Sequence, residues 1–206
     1  MVKNKESKPS HIVIFVEGDT DEVFFKALLE YYKSICVSPL PPFEMCNLKG
    51  VTRYTSKLLA KLKNEYLPEA RINNYKIQTI CCTYDTDVLE VQNPLMVDWD
   101  GIAKKVKRLG IENFIRIGVK SSIEDWILDD LEGVCRFLKI GEVSKTLKGV
   151  NGNTKLSGLY SKARRTYQKG YSTQELISAL DMSVIRKKRS SALKCLEDAL
   201  GFLPIQ

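Results

Sequence analysis

The segment VEGDTDE, residues 16 to 22, gathers four carboxylates, Glu17, Asp19, Asp21 and Glu22, at the end of an apolar run. A second group, Asp85 and Asp87 in YDTDV, ends another apolar run. Alternate residues of a strand point the same way, so Asp85 and Asp87 share one side if the strand stays extended through them. Carboxylates brought to one spot repel each other, and a divalent cation is their natural partner. Oxygen-only ligands favour Mg2+ or Mn2+, and the chemistry open to such a site is activation of water and stabilisation of a leaving oxygen.

Composition removes several alternatives. His11 is the only histidine, and no CxxC pair occurs among the six cysteines. Multi-histidine zinc sites are therefore excluded, and Ser-His-Asp or Cys-His catalysis would rest on His11 alone, at the start of a strand-like run where a structural role is expected. The cysteines, with Cys81 and Cys82 inside an apolar stretch, read as small core residues of a reducing compartment. Residues 1–10 are polar and read as a flexible basic tail rather than a signal peptide, and no apolar run approaches the roughly 20 residues of a membrane span. The expected location is the cytoplasm, without membrane association.

The acids also have structural explanations. Asp19 and Glu22 have capping-box spacing for a following helix, as do Ser121 and Glu124. Asp85 and Asp87 can be turn formers after a strand. Glu17, at the end of a buried apolar strand, has no such local task.

The elements that must position these acids alternate. HIVIFV reads as a strand buried on both faces, and TDEVFFKALLEYYKS as an amphipathic helix. PPFEMCNL is a second strand, RYTSKLLAKLKNEYL a second helix facing inward through Leu58, Leu59 and Leu62, and YKIQTICCTY a third strand. VDWDGIAKKVKRLG is a third helix, ENFIRIGV a fourth strand, and SSIEDWILDDLEGV a helix with Ile123, Ile127, Leu131 and Val134 on one side. Such units make an α/β fold with a parallel sheet of about four strands and right-handed crossovers, whose working site lies beyond the carboxyl ends of the strands. Glu17, Asp85 and Asp87 all fall there.

Past Cys135 the pattern becomes helical and basic. KGVNGNTKLSG reads as a glycine-rich flexible loop without the Gly-Lys-Ser/Thr of a phosphate loop. YSTQELISALDM and SSALKCLEDALGF read as helices, with Ser172 and Glu175 at capping-box spacing and Gly201 as a C-cap. The whole chain carries +7, yet between Lys139 and Lys194 the excess is about +10. A solvated helix face and a phosphate-following surface both account for that excess. The second makes the run Arg186, Lys187, Lys188 and Arg189 a nucleic-acid contact, with Lys120, Lys155 and Lys169 as candidates to stabilise charge at a scissile phosphate.

VEGDTDEVFF at a strand-to-helix junction, followed one strand-helix unit later by the strand-terminal Asp-x-Asp of YDTDV, resembles a Toprim domain, the catalytic fold of topoisomerases, bacterial primases, ribosomal RNA maturases and OLD-family nucleases. The resemblance covers about residues 10–132 and implies a Rossmann-like sheet over 11–134, with 135–206 as a basic, mainly helical C-terminal segment. It implies acid-base or metal chemistry for Glu17 of the Glu-Gly pair and Mg2+ binding for Asp85 and Asp87. Asp21 stands where OLD-type nucleases and primases often place another acid. SSIEDWILDD is similar to a Ser-x-x-Glu helix start in small nuclease-like Toprim proteins, which nominates Glu124 as a further ligand.

The activity so implied is metal-dependent cleavage of DNA or RNA, in phage defence or a mobile element. The longer OLD nucleases carry an ATPase portion that has no counterpart in this sequence, leaving a separate ATPase or regulatory protein as a conceivable partner. Two other readings stay open. DTDV also fits a haloacid-dehalogenase-like phosphatase with Asp85 as nucleophile and Asp87 as acid-base, and a non-catalytic nucleic-acid-binding module needs no turnover at all.

Overall fold

The computed structural model describes residues 8–87, 97–143, 146–170 and 173–205. Four strands, β1 (Ser10–Val16), β2 (Phe43–Asn47), β3 (Lys76–Asp85) and β4 (Asn113–Val119), form one sheet in the order β2-β1-β3-β4. Every pairing is parallel. Val16 lies opposite Asn47 and Asp85 opposite Val119, so the strands finish together at one edge, with β1 and β3 side by side in the middle.

Helices cover both faces. On one, Val13, Phe15, Ile80 and Cys82 pack with Tyr54 and Leu58 of α2 (Arg53–Lys61) and Ile102 and Val106 of α4 (Trp99–Arg108). On the other, Ile12, Ile14, Val16 and Cys81 meet Phe24, Phe25 and Leu28 of α1 (Asp19–Ile35) and Trp126 of α5 (Ile123–Ile127). Burial on both sides is the reason HIVIFV has no polar alternation. The helix expected over RYTSKLLAKLKNEYL forms and runs on, α2 passing without interruption through a π-helical stretch, Leu62–Tyr66, into α3 (Leu67–Ile72), which has a proline in its first turn.

The C-terminal helices share the second of these cores. Leu156 and Leu159 of α7 (Gly152–Lys162), Leu176 of α8 (Gln174–Ser178), Ile185 of α9 (Met182–Lys188) and Leu193 and Leu196 of α10 (Ser190–Leu200) are buried in it. The glycine-rich stretch expected to be a flexible loop is helical from Gly152, because Asn151 and Thr154 form a reciprocal capping box. Gly152 itself serves a close approach, as a Cβ there would lie 2.5 Å from the backbone nitrogen of Asp125. Gly201 caps α10 with φ 60°, as expected. The pairing of Ser172 with Glu175 lies outside the described residues. The cysteines are free; Cys46, Cys81, Cys82 and Cys135 are buried as core residues, but Cys195 is exposed.

Acids of the segment IEDWILDD tie this helical layer down. Asp125 accepts from Gly152 N at 3.2 Å, and Asp129 binds Arg189. Asp130, at the start of α6 (Leu131–Leu138), accepts from Gly133 N at 3.0 Å and from Asp181 N at 2.7 Å, joining two helix starts through one buried carboxylate. Replacing Asp130 by alanine should lower unfolding stability by about 1.5–3 kcal/mol in urea denaturation, since hydrogen bonds to a buried charge are lost. The same change at exposed Lys187 should stay within about 0.5 kcal/mol.

Candidate functional site

At the carboxyl edge of the sheet a cleft of about 380 Å³ is lined by Glu17, Asp21, Asp85, Glu124 and Lys169, among others. Each arrives on a different element. Glu17 follows directly on β1, where Gly50 N donates to its carbonyl at 2.8 Å. Its side chain crosses to the next strand, Oε2 accepting from Asp85 N at 3.2 Å. Asp85, the last residue of β3, reaches on to α5 and accepts from Ile123 N at 3.1 Å through Oδ1. Asp21 enters from the first turn of α1 and Glu124 from that of α5. Tyr54 supports the arrangement from below, its hydroxyl shared between the carbonyl oxygens of Phe15, at 3.0 Å, and Thr83.

Capping does not account for these acids. The residue before α1 is Gly18, and no side chain caps that helix. Asp19 instead accepts from Asn47 Nδ2 at 2.7 Å and pairs with Lys49, while Glu22 accepts from the same amide at 3.1 Å, so both are tied to the end of β2. At α5 the N-cap is Ser122, whose hydroxyl bonds Asp125 at 3.1 Å, whereas Ser121 precedes it with φ 62°. Glu124 is thus released from the capping box expected of it.

Glu124 is wholly buried, and Asp21 is only 5% exposed. Glu124 Oε1 accepts from the Tyr167 hydroxyl at 3.1 Å and from Lys169 Nζ at 3.1 Å. Glu124 Oε2 and Asp21 Oδ1 are buried with no hydrogen-bond partner. An unpartnered carboxylate oxygen in a protein interior costs free energy unless a proton or a cation satisfies it.

The electrostatics point the same way. Burial, then the charges of Asp21, Glu17, Asp87 and Glu124, push the Asp85 carboxyl up to about 9. Burial, and next the charge of Glu17, raise Asp21 to about 7. Glu17 is raised too, chiefly by burial, against the hydrogen bond from Asp85 N. For Lys169, burial works against the charged form, but Glu124, Asp85 and Asp21 outweigh it and raise its pKa. A divalent cation would displace the protons that such raised values keep on Asp85 and Asp21. Among the described residues no three side chains form a finished metal-binding group. The fit to Mg2+ or Mn2+ rests on an all-oxygen donor set with two orphaned oxygens.

The other sequence candidates lie elsewhere. β3 ends at Asp85, so the extended geometry that would align Asp87 with it stops there. Asp87 N donates to Ser121 O at 3.0 Å, and its charge raises both Glu17 and Asp85 from outside the cleft lining. Lys120 is exposed beside this turn, and Lys155 sits 3.7 Å from Asp125. Of the three candidate lysines only Lys169 lines the cleft.

The basic run of α9 is largely engaged in packing. Arg186 makes paired bonds of 2.7 and 3.1 Å to Glu197 and lies over the Phe202 ring. Arg189 binds Asp129 and lies over Trp126, Lys188 donates to the Asp129 carbonyl at 2.5 Å, and Lys187 is exposed. Sequence reasoning passed over Tyr54, Tyr167 and Lys49, since an aromatic or a lone lysine far away in the chain carries no signal of the cleft it joins. His11 has the structural place expected of it, stacked on Tyr75 with ring centroids 3.7 Å apart. Compared with family models, curated proteins and solved structures, the chain gives no match.

A carboxyl whose folded pKa is raised adds stability below its unfolded pKa, and that stability is lost as pH rises through the folded value. For Asp85 the window runs from its ordinary 3.8 up to about 9. In metal-free buffer the parent protein should therefore lose stability on this account between about pH 4 and pH 9. Asp85→Asn keeps the oxygen that accepts from Ile123 N and removes the charge. It should melt above the parent at pH 8.5, with the advantage gone by pH 4, as thermal melts in EDTA across that range would record.

Proposed function

We propose that the protein is a Mg2+- or Mn2+-dependent phosphodiesterase acting on DNA or RNA, of the Toprim kind that its Glu-Gly and Asp-x-Asp motifs resemble. The observation that supports this most is the cleft at the ends of β1 and β3, where half-buried Asp85 and buried Asp21, both with raised pKa values, meet Glu17 and buried Glu124 beside Lys169, and two carboxylate oxygens have no partner. Glu17, Asp21, Asp85 and Glu124 would hold the ion, with Asp87 adding negative charge from the rim. A bound ion supplies Lewis-acid stabilisation of a phosphate oxygen and a lowered pKa for water.

The chain's own groups divide the remaining work. Lys169, kept charged by its acidic neighbours, offsets negative charge developing on the phosphate. Glu17, oriented by the bond from Asp85 N and open to the cleft, would add its carboxylate to the oxygen shell of the ion. The backbone nitrogens of Asp85 and Ile123 fix the two carboxylates they bond, so the acids are oriented before substrate arrives. A phosphatase built on Asp85 would leave Asp21 and Glu124 buried beside it without a task.

The test is incubation of plasmid, linear DNA, transfer RNA and ribosomal RNA with each metal. The parent should cleave at least one of them with Mg2+ or Mn2+ and none in EDTA. Glu17→Gln and Asp85→Asn should each lower the rate by about 10²–10⁴-fold while staying folded. Folded variants that cut at the parent's rate would remove that residue from the mechanism, and turnover of small phosphate monoesters alone would favour a phosphatase.

A further inference from the structure

Lys169, the one C-terminal cation in the cleft lining, ends a basic stretch that begins at Lys162. From Lys155 to Gln174 the sequence contains five Lys and Arg and no acid. Lys162, Arg164, Arg165 and Lys169 are exposed, and among the described residues Lys162, Arg164 and Arg165 make no ion pair. Arg165 instead rests over the Phe137 ring at 5.1 Å. Arg164 has a left-handed backbone, φ 55°, at the turn where α7 ends.

The far end of this stretch is fixed to the cleft itself. Gly170 N donates to Thr20 Oγ1 at 2.9 Å, Tyr167 donates to Glu124, and Lys169 pairs with Glu124. Residues 165–168 carry no regular secondary structure. At no more than ~3.6 Å per residue, Arg164 lies within about 18 Å of Lys169. A cleft lined with carboxylates repels a polyanion, so a substrate phosphate is held there only if cations alongside take its neighbours.

We propose that residues 162–169 form the track that holds the phosphodiester backbone of the nucleic-acid strand entering the cleft, with Lys162, Arg164 and Arg165 neutralising phosphates beyond the scissile one. The proposal rests on the nuclease reading of the cleft. It moves the phosphate contacts away from Arg186 and Arg189, whose guanidinium groups are engaged with Glu197 and Asp129. Lys162, Arg164 and Arg165 would otherwise be left to repel one another on a segment pinned at the cleft's edge.

The experiment compares the full-length parent with the triple variant Lys162→Ala, Arg164→Ala, Arg165→Ala and with a charge-matched control, Lys104→Ala, Lys105→Ala, Lys107→Ala, on exposed positions of α4. A double variant, Lys162→Ala with Arg164→Ala, leaves the contact of Arg165 with Phe137 intact should the triple variant fold poorly. Binding of labelled DNA and RNA oligonucleotides in Ca2+ is followed from 50 to 200 mM salt, with hydrolysis of bis(p-nitrophenyl) phosphate in Mn2+ alongside. The slope of log affinity against log salt should flatten by about 0.7–0.9 for each cation removed from the track. It should stay at the parent's value in the control, and hydrolysis of the small diester should be unchanged in both. The DNA and RNA arms identify which strand the track takes.

A parent-like slope in the track variants, or equal flattening in the control, overturns the track while leaving the cleft's chemistry standing. Loss of small-diester hydrolysis in the folded double variant shows the segment acting on the cleft itself and overturns it as well. A parent that neither binds nor cuts any nucleic acid overturns both this proposal and the reading beneath it.

Discussion

The structure turns on the repulsion among buried and half-buried carboxylates that meet where β1 and β3 end. Glu17, Asp21, Asp85 and Glu124 arrive on four separate elements, and left to themselves they would push those elements apart. They are held by short bonds running across the sheet edge, from Glu17 to Asp85 N and from Asp85 to Ile123 N, with Tyr54 fastening the underlying strands. Protons retained by Asp85 and Asp21 and the ammonium of Lys169 offset the remaining charge. Such a concentration of carboxylates is the kind of local electrostatic conflict that nominates a functional site.

The C-terminal helices matter because the cleft is not complete without them. Tyr167, Lys169 and Gly170 reach Glu124 and Thr20 from a stretch of chain far beyond α5 in sequence. Their placement depends on Asp125, Asp129 and Asp130, which hold α7, the Arg189 turn and the start of α9 against the segment that carries Glu124. One short acidic segment therefore does two jobs. Glu124 faces the cleft, and its neighbours dock the layer that supplies the lysine.

The parallel sheet was legible because each strand is a continuous apolar run and each helix has an inward stripe, patterns that only burial on both faces requires. The acids at the ends of β1 and β3 were legible for the same reason, since the strand ends could be located. Side chains whose roles depend on long-range contact were not. Arg186 and Arg189 read in sequence as nucleic-acid contacts or as a solvated face, yet they pair with Glu197 and Asp129. Gly152 looks like a flexible linker, yet it is where α7 comes close to Asp125. The capping spacings of Asp19 with Glu22 and of Ser121 with Glu124 misled because Asn47, Lys49 and Tyr167 compete for those acids from other elements.

The central claim is that the protonated, partly unpartnered carboxyls of this cleft are a divalent-cation site. Isothermal titration of Mn2+ into the full-length protein at pH 7, in two buffers of different ionisation enthalpy, measures binding and proton release together. With Asp85 raised to about 9, saturable binding should release about one proton per ion, and Asp85→Asn should lose both the release and most of the affinity. Absence of saturable binding, or binding by Asp85→Asn with the parent's affinity and proton count, would contradict the account.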